Sequence, residues 1–127
     1  MFSTLADYGR FAGMLTGGGA LDGVRILKEA TVELMSAPQL PPTVEGICDG
    51  FNWGLSMRVC PVQDAPSQPL TGGSFGWSGA YGTHFWADRK KRLWAVYMSN
   101  ITNAGGAGAP TAFEFERDVM AGFGECE

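Results

Sequence analysis

Apolar residues near the start of the chain recur at helical spacing, with Leu5, Tyr8, Phe11, Ala12 and Leu15 forming one stripe. Ser3 or Thr4 is placed to cap this helix, and Asp7, three residues after Thr4, comes close to a capping-box arrangement. Gly17-Gly18-Gly19 stops it. A turn around Leu21-Asp22-Gly23 follows, with Val24, Ile26 and Leu27 as short apolar anchors. The pattern predicts a second helix from about Lys28 to Met35, burying Ala30, Leu34 and Met35 and ended by Pro38.

Residues 37–50 are rich in proline and glycine and show no period. Phe51 to Val59 alternates loosely and reads as one strand, with Trp53, Leu55 and Met57 on one side and Pro61 closing it. A further irregular stretch runs from Pro61 to Pro69. Glycines then punctuate a run carrying Phe75, Trp77 and Tyr81. After it, Thr83–Ala87 and Leu93–Met98 flank the charged turn Asp88–Arg92, a strong antiparallel hairpin signal. Asn103–Ala109 is a glycine–alanine loop. Pro110 or Thr111 opens a terminal helix whose apolar surface comes from Phe113, Phe115, Val119, Met120 and Phe123. This order predicts an α+β domain over 1–127, with a helical part at 1–36, antiparallel strands within 51–100 and a terminal helix at 110–123. The sheet is expected to have about three to four strands with flanking helices.

Composition narrows the classes. The 127 residues are 45% hydrophobic and 17% charged, which suits one folded domain. Nine basic against thirteen acidic residues give a net charge of −4. The one compact basic run, Arg89-Lys90-Lys91-Arg92, sits in the predicted hairpin turn, so no nucleic-acid partner is expected. No apolar stretch approaches the ~20 residues of a membrane-spanning helix. No signal-peptide pattern opens the chain, so a reduced, cytoplasmic setting is the default expectation. Cys48, Cys60 and Cys126 show no C-x-x-C spacing, and a Cys48–Cys60 bridge is the one pairing entertained.

The search for chemistry starts with His84, the only histidine, which lies in a predicted strand and reads better as a packed residue than as a metal ligand. No acidic pattern suggests a metal site, and no metal or cofactor is expected. No serine has lysine three residues on, and no tyrosine has asparagine two residues on. What remains is Gly76-Trp77-Ser78-Gly79-Ala80. Its glycines let a substrate approach the backbone, Ser78 can donate or accept a hydrogen bond, and the Ala80 N–H can face a developing oxyanion. The plainer alternative is that these glycines serve strand packing alone.

Six blocks carry a family resemblance. Phe2–Tyr8, Leu21–Leu27 and Thr31–Met35 resemble the late helical region of the serine beta-lactamase and penicillin-binding-protein superfamily, in particular its class C beta-lactamase-related esterase branch. Gly73–Thr83, Phe85–Asp88 and Ala95–Met98 resemble the sheet strand beside that family's active site and the hairpin after it. The likeness implies a beta-lactamase/transpeptidase-like fold and acyl transfer by the serine of S-x-x-K, with its lysine and a Y-x-N tyrosine managing protons. Trp77, Ser78 and Gly79 match the family's Lys-Thr-Gly motif as substrate-binding positions, and Ala80 matches the residue whose N–H makes half of the oxyanion hole. Trp77 departs from lysine, which removes the charge that holds a penicillin carboxylate and implies ester substrates. The first two motifs are absent, so the resemblance implies a C-terminal portion only, a partial fold.

Three readings follow. The first is a hydrolase piece inactive alone, whose substrate in the complete protein is a small ester or amide and whose stability depends on a missing N-terminal part or a homo-oligomer. The second is a non-catalytic binding or assembly module, such as a homodimer pairing through sheet edges. The third is an independent hydrolase using Ser78 or Ser74 with His84, for which the sequence places no acid to orient the imidazole.

Overall fold

A computed structural model describes residues 2–41, 43–44, 50–60, 69–101 and 108–124. The first helix, α1 (Leu5–Thr16), begins where the pattern predicts. The Thr4 hydroxyl accepts the Asp7 N–H at 3.1 Å and donates to the Asp7 carboxylate at 2.8 Å, and Asp7 also complements the helix dipole. The helix closes when the Gly17 and Gly19 N–H groups bond back to the Gly13 and Met14 carbonyls.

The predicted turn at residues 21–23 is a small ribbon, β1 (Ala20–Leu21) against β2 (Val24–Arg25). Asp22 and Gly23 both have positive φ, the backbone that a two-residue hairpin turn requires. The second helix, α2 (Glu29–Ser36), presents a different face from the expected one. Val32 is its buried residue, Met35 is half-buried, and Ala30 and Leu34 face solvent. Val32 joins the core cluster formed by α1 and the sheet, and Met35 packs against that cluster.

The stretch read as one strand is two, β3 (Asn52–Trp53) and β4 (Arg58–Val59). Between them the Gly54 N–H bonds to the Met57 carbonyl at 2.8 Å and Ser56 takes a positive φ, so Leu55 lands on an exposed turn and the apparent alternation is broken. The remaining strands are β5 (Phe75–Ser78), β6 (His84–Asp88) and β7 (Leu93–Tyr97). They make a five-stranded antiparallel sheet of order β3-β4-β5-β6-β7. The expected three to four strands are thus replaced by two sheets, of two and five strands, because the β3–β4 hairpin and the β1–β2 ribbon carry too few residues to show a period. The predicted hairpin is β6–β7. Arg89 of its turn pairs with Glu29 at 2.7 Å, and the Lys90 ammonium donates to the Gly72 carbonyl at 2.7 Å.

Side-chain alternation divides the core between the two faces of the sheet. One face carries Val59, Phe75, Phe85 and Ala87, which pack with Ala12, Met14 and Leu15 of α1 and Val32 of α2. The other carries Cys60, Trp86 and Ala95, which pack under the terminal helix α3 (Pro110–Gly124) through Phe113, Phe115, Val119 and Met120. β6 is buried at all five positions because it is covered from both sides. No helix among the described residues is long and apolar enough to cross a membrane.

Candidate functional site

The site forms where β5 outruns its neighbour. β4 pairs with Phe75 and Gly76 and stops there, so among the described residues Trp77 and Ser78 pair with β6 alone and no strand lies on their other side. The chain then turns tightly: the Gly79 N–H donates to the Thr83 carbonyl at 2.7 Å and the Gly82 N–H to the Gly79 carbonyl at 3.1 Å. A side chain on Gly79 would bring its Cβ to 2.3 Å from the Thr83 hydroxyl, so the turn is built around its absence. Ala80 is exposed, and its N–H takes no part in these turn bonds.

An open cleft of about 960 Å³ runs past this turn, lined by Leu5 and Tyr8 of α1, by Trp77–Tyr81, by Thr83–Phe85 and by the chain following β7 as far as Asn100. All four residues singled out from the sequence, Trp77, Ser78, Gly79 and Ala80, face it. They divide between two sides. Trp77 packs on the α1 face and meets Trp53 edge-on with ring centroids 4.4 Å apart, whereas Ser78 points toward α3. Burial pushes the Tyr8 phenol above its ordinary pKa.

Below Ser78 lies a buried hydrogen-bonded chain. Ser78 Oγ is 2.8 Å from His84 Nδ1, His84 Nε2 is 2.9 Å from Glu116 Oε1, and the same oxygen accepts from the Arg58 guanidinium. His84 and Arg58 are almost fully buried and Glu116 is wholly so. The Arg58 guanidinium also lies 4.2 Å over the Phe51 ring. These partners fix the proton positions. A carboxylate paired with Arg58 only accepts, so the proton of a neutral His84 sits on Nε2, and Nδ1 is left to accept the Ser78 O–H.

Of the two serines considered with His84, the structure brings together only Ser78. Ser74 is buried away from the cleft, and its hydroxyl has no partner among the described residues. The acid missing from the sequence reading is Glu116. Its signal was present: Ala112, Glu116, Val119 and Met120 share helical spacing, which puts a carboxylate on the apolar stripe of α3. Cys60 is buried, and burial pushes its thiol up to about 12 against the opposing pull of Arg58, so it offers no thiolate at neutral pH. Its suggested partner Cys48, like Cys126, lies outside the described residues.

Comparison with known proteins identifies the family. Residues 1–116 match the beta-lactamase family model. The chain is 37% identical over 111 residues to protein Rv1367c of Mycobacterium tuberculosis, an alignment covering 77% of this chain and 27% of the relative. The chain thus spans about a quarter of the length of the curated relatives it matches. Among solved structures, a penicillin-binding protein homologue from Caulobacter crescentus superposes with a TM-score of 0.68 at 23% identity, over 87% of this chain and 29% of that one. EstCE1, a hydrolase with promiscuous acyltransferase activity, gives 0.66 at 24% identity over 86% and 27%. A family VIII carboxylesterase gives 0.59 at 24% identity over 86% and 29%. At such identities the structural likeness speaks for the fold.

The resemblance implied a C-terminal portion only, a partial fold, but the family match begins at residue 1 and continues to 116, so the family domain occupies nearly the whole chain. Both sides of the sheet are packed against helices of this same chain, as a folded domain requires. The 127-residue chain belongs to the beta-lactamase family.

Proposed function

We propose that the chain binds the acyl group of a small ester or amide along Trp77–Ala80, as the substrate wall of a beta-lactamase-family serine hydrolase. The observation that carries this reading is the end of β5, which among the described residues pairs with β6 alone and presents Trp77, Ser78, Gly79 and Ala80 to one cleft. In this reading the Ala80 N–H faces the carbonyl oxygen, where negative charge develops during acyl transfer. Trp77 supplies an apolar wall without charge, which favours esters over substrates that need a cation for their carboxylate. The described activities of EstCE1 and the carboxylesterase support the same substrate class. The sequence contains neither S-x-x-K nor Y-x-N, so the family's lysine- and tyrosine-assisted acylation is not available from these residues alone.

Phenylacetone, the ketone isostere of phenyl acetate, tests the binding site without being hydrolysed. Titrated into isotopically labelled protein, it is expected to shift the Ala80 amide and Trp77 indole resonances. Shifts confined to other residues, or none up to the solubility limit, would overturn the reading.

A second reading is favoured by the outer edge of the sheet. β7 ends the strand order, and Trp94 and Tyr97 on it are exposed, so two copies can pair through this edge. Sedimentation of the wild type against Val96→Pro would show a concentration-dependent dimer only in the former. A strict monomer at all concentrations removes this second reading.

A further inference from the structure

We infer that Ser78, His84 and Glu116 form a nucleophile–base–acid relay, giving this chain an acyl-transfer centre of its own that does not use S-x-x-K. The inference rests on the proposed acyl site for where the carbonyl lies; the relay itself stands on separate geometry. A serine hydroxyl attacks only when a neighbouring base takes its proton, and that base works best when a third group fixes its tautomer. Both conditions meet here. Ser78 is half-buried at the cleft and hydrogen-bonds His84 Nδ1 at 2.8 Å, while Glu116 holds His84 Nε2 at 2.9 Å. Glu116 is itself fixed by Arg58, and the imidazole packs edge-on against Phe115 with centroids 6.2 Å apart.

A histidine serving structure alone has no need of a hydroxyl partner that opens on a cleft. Its buried contacts with Glu116 and Phe115 already anchor α3 to the sheet. The end of the hydrogen-bonded chain nearest the cleft is Ser78, which lines it.

The step balances without any added reagent. Ser78 Oγ bonds to the ester carbonyl carbon as its proton passes to His84 Nδ1, and the resulting oxyanion is stabilised by the Ala80 N–H. Collapse breaks the bond to the alcohol oxygen, which leaves with the proton from Nδ1. A water molecule then gives its proton to Nδ1 and attacks the acyl carbon. Release of the acid returns the proton to Ser78. Glu116 keeps the Nε2 proton in place throughout and stabilises the imidazolium.

The test is covalent labelling of the complete chain with a fluorophosphonate probe, read by intact mass and peptide mapping. One adduct on Ser78 is expected, with none in Ser78→Ala. Labelling of His84→Asn and of Glu116→Gln should slow by at least about 100-fold, the usual worth of general-base assistance. Folded wild-type protein that takes no adduct, or takes it on another serine, overturns the relay whether or not the buried variants fold. Phenylacetone separates the two ideas. Binding without an adduct removes the relay and leaves the acyl site, whereas an adduct without binding does the reverse.

Discussion

Arg58 on β4 and Glu116 on α3 form an ion pair whose two side chains are 5% and 0% exposed. Such a pair is costly to break from one side, because the remaining charge stays buried without its counterpart. Glu116→Leu alone or Arg58→Met alone should therefore cost about 3–5 kcal/mol in urea unfolding. The double replacement, which leaves neither charge behind, should cost clearly less than the sum. Additive losses would mean that the two residues do not depend on one another.

Gly76 sits opposite Trp86 in the sheet, and a Cβ at that position would lie 2.0 Å from the Phe85 carbonyl oxygen and 2.6 Å from the Trp86 Cα. Those are backbone atoms, so the clash is relieved only by moving β5 away from β6. Gly76→Ala is expected to destabilise by about 1–3 kcal/mol, measured by the shift in the urea midpoint.

Gly13 and Gly9 lie under the same Trp94 indole but make opposite predictions. A Cβ on Gly13 would meet the indole nitrogen at 3.4 Å, ordinary contact, so Gly13→Ala should raise stability by about 0.5–1 kcal/mol through helix propensity. On Gly9 the Cβ would come within 2.9 Å of the ring, and that gain should be lost. Thermal melts of the two variants, compared with the wild type, check the contrast.

Cys60 gives a prediction in pH. Its thiol is raised from 9.0 to about 12 in the folded chain, so between those values the unfolded state loses a proton that the folded state retains. The contribution is fully present below pH ~9 and falls away as pH rises. In a Cys48→Ser/Cys126→Ser background, stability should decline over this window, and Cys60→Ala should flatten the decline. Iodoacetamide should label Cys60 at least about 10-fold faster in urea than in the native state.

Legibility followed the length of each pattern. α1, α3 and the β6–β7 hairpin each carry enough residues for a period to emerge, and the Thr4 cap of α1 agrees with it. The two-residue strands β1 to β4 do not, and the Gly54–Met57 turn imitated a continuous strand through apolar Leu55 and Met57. At the site, Trp77–Ala80 were visible as a glycine-flanked group in a strand-like run. Glu116 is not legible as a partner because it meets His84 across 32 residues of sequence, a pairing set by how α3 docks and not by any local spacing.

That docking ties two distant events together. With α3 seated, three side chains in series set the direction of a single O–H bond at the mouth of the cleft. Were the helix to lift, the imidazole would lose the group that holds its tautomer, and the serine would become an ordinary alcohol turning freely in water. In the proposed relay, the reactivity of Ser78 is thereby conditional on the last helix having found its place.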